Sequence, residues 1–333
     1  MTSELKQHIV DAALDYISLN KLSQNDVCRA TRINSGYLSN MLKGQFINQV
    51  AGKDTAISDK WFAALADYVG FSIKKSNWQT FLTPQFLQIA EALETAKNEG
   101  FTRMLIGPTG CGKTYAVDAF CRKFPSNTFR VTISSVYRLP DLVNELIDKL
   151  GIEMTLMGSQ AASYSVKTRI DRIVDKLKEI NRQGGHPILI IDEGENMEYP
   201  LMKAIKGLYD NIKDHCAIVL IGTQRLPDRM LNQVQGNRGR HRNSLPELYR
   251  RFKAGHHVIE PVDETFELML NKYVPEAGLR RLLCKMCLNY GELHDFLQPV
   301  LKEADRAGVA VSERLFRTMF NIHIDNTVIT NKA

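Results

Sequence analysis

The sequence predicts an α/β fold: a parallel five-stranded sheet flanked by helices, with an all-α segment before it and a small helical segment after it. Three observations predict it. Between about residues 100 and 260, short apolar runs alternate with amphipathic helical stretches, the pattern of a parallel sheet covered on both faces. Inside that span, Gly107-Pro-Thr-Gly-Cys-Gly-Lys-Thr114 has the glycine, four residues, Gly-Lys-Thr spacing of a phosphate-binding loop. It is preceded by the strand-like Met104-Leu105-Ile106 and followed by a helix-like stretch, Tyr115 to Phe124. Outside the span, helical periodicity runs through residues 1–72 and from Glu264 to about Phe320.

The strands are expected at Thr102–Ile106, Phe129–Ile133, Ile188–Ile191, Ala217–Ile221 and His257–Ile259, with helices at Leu139–Leu150, Val166–Ile180 and Met202–Ile212. Before them, Leu5–Leu19, Gln24–Thr31, Ser35–Leu42 and Asp59–Val69 read as helices, with Ser23 as an N-cap and Gly44 and Gly70 as stops. Val27, Ala30, Ile33, Leu38 and Leu42 are the expected inner face of the second and third helices. Ser72–Gln85 reads as a linker, since Lys74-Lys75-Ser76-Asn77 is polar and Pro84 interrupts it, and a lead-in helix follows at Phe86–Asn98. The expected organisation is therefore a helical domain at 1–72, linker and lead-in helix at 73–99, the α/β domain at 100–261, a helical lid at 262–322 and a polar tail at 323–333.

A chain of 333 residues is long enough for two or three domains. It has no apolar stretch of membrane-spanning length, and its start, with Glu4 and Asp11, lacks the apolar core of a secretory signal. Six irregularly placed cysteines point to a reducing cytosol, hence a cytoplasmic protein. Cys284 and Cys287 form a lone C-x-x-C in an apolar helical pattern and read as core, since a metal site needs two more ligands. The net charge is +6, and it is concentrated. Arg229, Arg238, Arg240, Arg242, Arg250, Arg251 and Lys253 face only one acid, Glu247, within their segment. Such a stripe suits a polyanion or the phosphates of a nucleotide.

Phosphate chemistry accounts for the glycine-rich loop. Gly107, Pro108, Thr109, Gly110, Cys111 and Gly112 let backbone N–H groups turn towards phosphate oxygens, Lys113 reaches the β- and γ-phosphates, and the Thr114 hydroxyl is a Mg²⁺ ligand. The run Pro187-Ile-Leu-Ile-Ile-Asp-Glu193 supplies a buried strand ending in two carboxylates: Asp192 for Mg²⁺, and Glu193 as general base for the attacking water. The strand Ala217–Gly222 ends in Thr223-Gln224, where a polar side chain can reach the γ-phosphate or the water. No Asn/Thr-Lys-x-Asp guanine signature occurs, which favours ATP over GTP.

These motifs resemble the AAA+ ATPases. By that resemblance Gln224, with Thr223 as the alternate, is sensor 1, and Leu248-Tyr-Arg-Arg-Phe252 carries an arginine finger, Arg251 first and Arg250 second. The second sensor departs from the pattern: Gly291-Glu-Leu-His294 has histidine where arginine is usual. The segment from Leu22-Ser-Gln-Asn through Gly36-Tyr-Leu-Ser-Asn-Met-Leu-Lys-Gly44 resembles the Cro/C1-like helix-turn-helix of phage repressors. That resemblance makes Asn34, Ser35, Tyr37, Ser39 and Asn40 candidate DNA contacts, although nine Lys/Arg against seven acids over residues 1–75 leave the region only weakly basic.

The order of motifs resembles the helper ATPases of DNA transposition, the family of phage Mu B, TnsC and the insertion-sequence helpers. The resemblance implies ATP-dependent assembly on double-stranded DNA as a filament or ring, and recruitment or stimulation of a transposase. Arg138, Lys167 and Arg169 are then candidates for facing the DNA backbone. A helicase loader or replication initiator, and a nucleotide-switched transcription regulator, are the alternatives.

Overall fold

Helices α1 (Ser3–Leu19), α2 (Gln24–Thr31) and α3 (Ser35–Leu42) open the chain in the computed structural model, which describes residues 1–20, 22–50, 53–71, 78–154, 164–235 and 245–322. Local chemistry sets their ends. Ser23 Oγ accepts from Asp26 N (3.2 Å) while Asp26 Oδ2 accepts from Ser23 N (3.0 Å), a capping box that starts α2. Arg32 takes the left-handed conformation (φ 57°) that ends α2, and Asn34 Oδ1 accepts from Gly36 N (2.9 Å) to start α3. Ser23→Ala is expected to lower stability by about 1 kcal/mol, read as an earlier urea midpoint for the N-terminal signal with an unchanged slope.

The core of this N-terminal unit gathers Ile9, Val10, Ala13, Val27, Ile33, Leu38, Met41, Phe62 and Leu65, the last two from α4 (Asp59–Tyr68). Two expected core positions differ. Ala30 is exposed and Leu42 only half-buried, and Met41 is buried instead, one helical turn on from Leu38. Nor is the unit all-α. β1 (Ile47–Val50) and β2 (Lys53–Ala56) pair antiparallel, with Ile47 opposite Ala56. Asn48, Gln49, Asp54 and Thr55 give the hairpin no apolar alternation, so its pairing is backbone pairing. It is anchored by Phe46, edge-on to Phe62 at 5.2 Å, and by buried Ile57.

The chain divides into two compact units, Met1–Ser76 with Cys121–Ser126, and Asn77–Phe120 with Asn127–Ala333. The second begins with α5 (Pro84–Glu99), capped by Thr83 and ended by Gly100 at φ 71°. Then follow β3 (Arg103–Ile106), α6 (Lys113–Lys123), β4 (Thr128–Thr132), α7 (Leu139–Lys149), α8 (Val166–Arg182) and β5 (Ile188–Asp192). A 3-10 turn (Gly194–Asn196), α9 (Tyr199–Ile212), β6 (Ala217–Gly222), α10 (Arg225–Gln235), α11 (Leu245–Lys253) and β7 (His256–Val258) complete the α/β part.

Its strands lie in the order β4-β5-β6-β3-β7, all parallel among the described residues. β5 and β6 are buried along their whole length, as continuous apolar runs in a doubly covered sheet require, whereas the edge strand β4 alternates. Four helices follow: α12 (Glu267–Tyr273), α13 (Ala277–Met286), α14 (Tyr290–Ala307) and α15 (Glu313–Phe320). They share a core that includes Leu279, Leu283, Cys287, Leu293, Leu297 and Phe316. Trp78 and Phe81 pack against that core, so the stretch expected to be linker as far as Gln85 is structural from residue 78 onwards. Residues 74–77, Arg238, Arg240, Arg242 and the tail from residue 323 lie outside the described residues. Among the described residues, no helix is long and apolar enough to cross a membrane.

Candidate functional site

Three neighbouring strands, β5, β6 and β3, end at the site, presenting Asp192, Gly222–Thr223 and Gly107 side by side. The carboxyl edge of a parallel sheet is where such folds bind ligands. Gly107 N donates to Gly222 O (3.1 Å), pinning the start of the glycine-rich loop to β6. Gly110 and Gly112 sit at φ 75° and 90°, and a side chain at Gly110 would also collide with Asn289. Lys113 Nζ donates to Gly107 O (2.9 Å) and Pro108 O (2.7 Å), folding its ammonium over the loop. Cys111 is buried beneath the loop, and burial pushes its thiol up despite the nearby Lys113 charge, so it packs as an unreactive filler.

Thr114 Oγ1 donates to Asp192 Oδ2 (3.3 Å). Asp192 is 1% exposed and fully engaged: Oδ1 accepts from Glu193 N (3.0 Å), and Oδ2 also accepts from Arg130 Nη2 (2.7 Å). Arg130, on β4, pairs with Asp118 of α6 as well. A buried carboxylate without such partners would cost several kcal/mol. Arg130 escaped the sequence analysis, where its one signal was a cation on a strand that otherwise alternates. Hydroxyl and carboxylate oxygens are the hard donors that suit Mg²⁺, so Thr114 and Asp192 fit that ion.

Glu193 holds a left-handed backbone (φ 54°, ψ 40°), a conformation that costs about 1 kcal/mol or more in a non-glycine residue and clusters at working sites. Its exposed carboxylate accepts from Asn196 Nδ2 (3.2 Å), and the same amide donates to Ile133 O (2.9 Å) at the end of β4. Of the two polar residues after β6, Thr223 lines the cavity. Gln224 does not: it is exposed, and its Nε2 donates to Asp228 Oδ1 (3.3 Å) along the first turn of α10.

The loop, Asp192, Glu193 and Thr223 bound a cavity of about 570 Å³. Its far wall is aromatic: Trp78, Phe81 and Phe86 from the segment before and into α5, and Tyr290 and His294 from α14. Trp78 stacks on Tyr273 (centroids 5.2 Å apart, 26°), and His294 stands edge-on to Trp78 at 5.0 Å. The helical segment touches the loop directly, since Gly291 N donates to Gly110 O (3.2 Å). Trp78 is one of two tryptophans. In a Trp61→Phe variant, added ATP is expected to change the Trp78 emission saturably, and unchanged emission would place the base away from this wall.

The two candidate fingers differ. Arg251 is committed within its own chain: Nε and Nη2 donate to Asp210 Oδ1 (2.9 and 2.6 Å) and Nη1 to Glu247 O (2.8 Å). Arg250 is exposed and makes no hydrogen bond or ion pair with another described residue. The candidate DNA contacts are scattered. Arg138 is paired with Glu198, Arg169 Nη1 donates to Asn144 Oδ1 (2.7 Å), and Lys167 is exposed. In the N-terminal unit Asn34 is spent as the α3 cap, Ser35 is exposed, Tyr37 leans on Trp61 (6.3 Å), and Ser39 and Asn40 are half-buried.

This sheet, with a phosphate loop after β3 and a carboxylate at the end of β5, the two strands on either side of β6, defines a P-loop nucleotide-binding protein of the AAA+ class. The model of the AAA domain family matches residues 97–230. The chain is 24% identical over 237 residues to the Mu-like prophage FluMu DNA transposition protein B of Haemophilus influenzae, covering 69% of this chain and 71% of that protein. The chain thus carries an AAA domain and is similar over about two thirds of its length to a Mu-like transposition protein B. A solved structure of the Aeropyrum pernix ORC1 protein in complex with DNA is 16% identical with a TM-score of 0.46, over 71% of this chain and 64% of that one.

Proposed function

We propose that this protein is an ATPase that assembles on double-stranded DNA when ATP is bound, and there recruits or stimulates a transposase. The observation that carries the hydrolytic part is the one cavity lined by the P-loop, Asp192, Glu193 and Thr223. The role in transposition is supported by the likeness to a protein named for DNA transposition. Backbone N–H groups of residues 109–113 and the Lys113 ammonium bind the phosphates, which take the place of the loop carbonyls that Lys113 now contacts. Mg²⁺, held by Thr114 and Asp192, would offset phosphate charge when bound. Glu193, kept in place by Asn196, accepts the proton of the attacking water. Trp78 and its aromatic neighbours cover the base.

Arg250, exposed and without a hydrogen bond or ion pair to another described residue, is the arginine offered to a neighbouring subunit, which makes hydrolysis depend on assembly. An interface of that head-to-tail kind builds a ring or an open helical filament. Basic side chains along it, among them Lys167, hold the DNA backbone without reading sequence. The helix-turn-helix reading of α2 and α3 adds a second DNA contact through Ser35 and its neighbours.

Electron microscopy of the protein with duplex DNA in ATP, ADP and a slowly hydrolysed analogue tests the assembly. ATP-dependent filaments or rings are expected, whereas isolated dimers at one sequence would favour the transcription-regulator reading. Lys113→Ala is expected to weaken ATP binding about 100-fold, since it removes charged hydrogen bonds to two phosphates, and to abolish ATP-dependent DNA binding. A calorimetric nucleotide titration reads the first effect and a filter-binding assay the second.

A further inference from the structure

The cavity contains a carboxylate that the reaction as described does not use. Glu195 stands in the 3-10 turn two residues after Glu193 and lines the same cavity. Its Oε2 is buried without a hydrogen-bond partner among the described residues, and so is Thr223 Oγ1. Buried oxygens are seldom left unpaired, because each lost hydrogen bond costs free energy. Two on the wall of one cavity mark an arrangement that is completed by what enters it. Gly222 connects them. It precedes Thr223 in the chain, and a β-carbon at Gly222 would lie 2.5 Å from Glu195 Oε2, so β6 ends in glycine where that carboxylate needs room. The Glu195 backbone is fixed from the other side, since Arg229 of α10 donates to its carbonyl oxygen. Glu195 is therefore held against the end of β6.

We propose that Glu195 is a positioning residue for hydrolysis and acts through Thr223. A carboxylate only accepts hydrogen bonds when ionised, while a threonine hydroxyl has one proton to donate and lone pairs to accept with. With nucleotide in the cavity, Thr223 donates to Glu195, and its lone pairs are left to accept one hydrogen of the attacking water. The water oxygen bonds to the γ-phosphorus and the bond from that phosphorus to the β,γ-bridging oxygen breaks. ADP leaves with the electron pair, and Glu193 takes the other water proton. Glu195 exchanges no proton; it sets the direction of the Thr223 hydrogen bond and so the orientation of the water. The inference rests on the ATPase reading and adds a residue to it.

DNA-stimulated ATP turnover and ATP affinity of the full chain test it in Glu195→Leu, Thr223→Val, Thr223→Ser, Gly222→Ala and the Glu195→Leu/Thr223→Val double variant. Glu195→Leu, which removes the acceptor, and Thr223→Val are each expected to lower kcat about 10-fold with ATP affinity within about twofold. Thr223→Ser, which keeps the hydroxyl, should recover most of the turnover that Thr223→Val loses. Gly222→Ala displaces the flexible end of Glu195 and should match Glu195→Leu. The double variant should be no slower than the slower single one, since both act on one hydrogen bond. Unchanged kcat in Glu195→Leu, an equal loss in Thr223→Ser and Thr223→Val, or losses that multiply in the double variant overturn the proposal. If the unmodified chain does not hydrolyse ATP at all, the ATPase reading falls and takes this one with it. If it does and Glu195→Leu does so at the same rate, only the positioning role falls.

Discussion

Glu193→Gln is expected to lower ATP turnover about 100-fold or more while leaving nucleotide affinity within about a factor of two. Glutamine keeps the size of the side chain and an oxygen that can accept from Asn196, now 3.2 Å from the carboxylate, so the left-handed turn at residue 193 survives. It cannot take the water's proton. Binding and hydrolysis should therefore separate: phosphate release falls, Trp78 emission still reports ATP, and the ATP-bound assembly on DNA persists instead of dissociating. Normal phosphate release would move the base to another carboxylate of the cavity.

Arg250→Ala is expected to lower DNA-stimulated turnover about 1,000-fold, because a guanidinium donated to the transferring phosphoryl group carries an effect of that order. ATP binding by the single subunit should not change, as Arg250 does not line its own cavity. Arg251→Ala removes a partly exposed pair with Asp210 and is expected to cost only about 1 kcal/mol of stability. Mixing separates donor from acceptor. Arg250→Ala subunits keep an intact P-loop and Glu193, and Glu193→Gln subunits still assemble with ATP and keep Arg250, so a mixture of the two impaired proteins should regain turnover. Mixtures that stay inactive would mean that the arginine acts within its own subunit, or that Arg250 is not the donor.

Much of the fold was legible because its signals are local. The apolar runs that became β5 and β6 are continuous since both faces of the sheet are covered, and each was placed to within a residue. The hairpin at 47–56 was missed because its strands carry no alternation and their pairing is backbone to backbone. Within the site, Thr223 and Gln224 are adjacent in a strand-to-helix turn, and no periodicity says which one faces the cavity; the start of α10 turns Gln224 towards Asp228. Trp78 and Phe81 stand among polar residues ahead of a proline, a composition that reads as linker, and it is Tyr273 and His294, distant in sequence, that pack on them and make them a wall.

By itself, then, the sequence determined the parallel α/β architecture, the phosphate loop and the carboxylates at the end of a buried strand, since glycine spacing and apolar runs act over a few consecutive residues. Only the tertiary structure decided which distant side chains complete the cavity. Arg130 meets Asp192 across 62 residues, and the Gly291 amide meets the Gly110 carbonyl from the far end of the chain. Those encounters follow from the order β4-β5-β6-β3-β7 and from the packing of α14 on the loop, and chain order alone does not specify strand order.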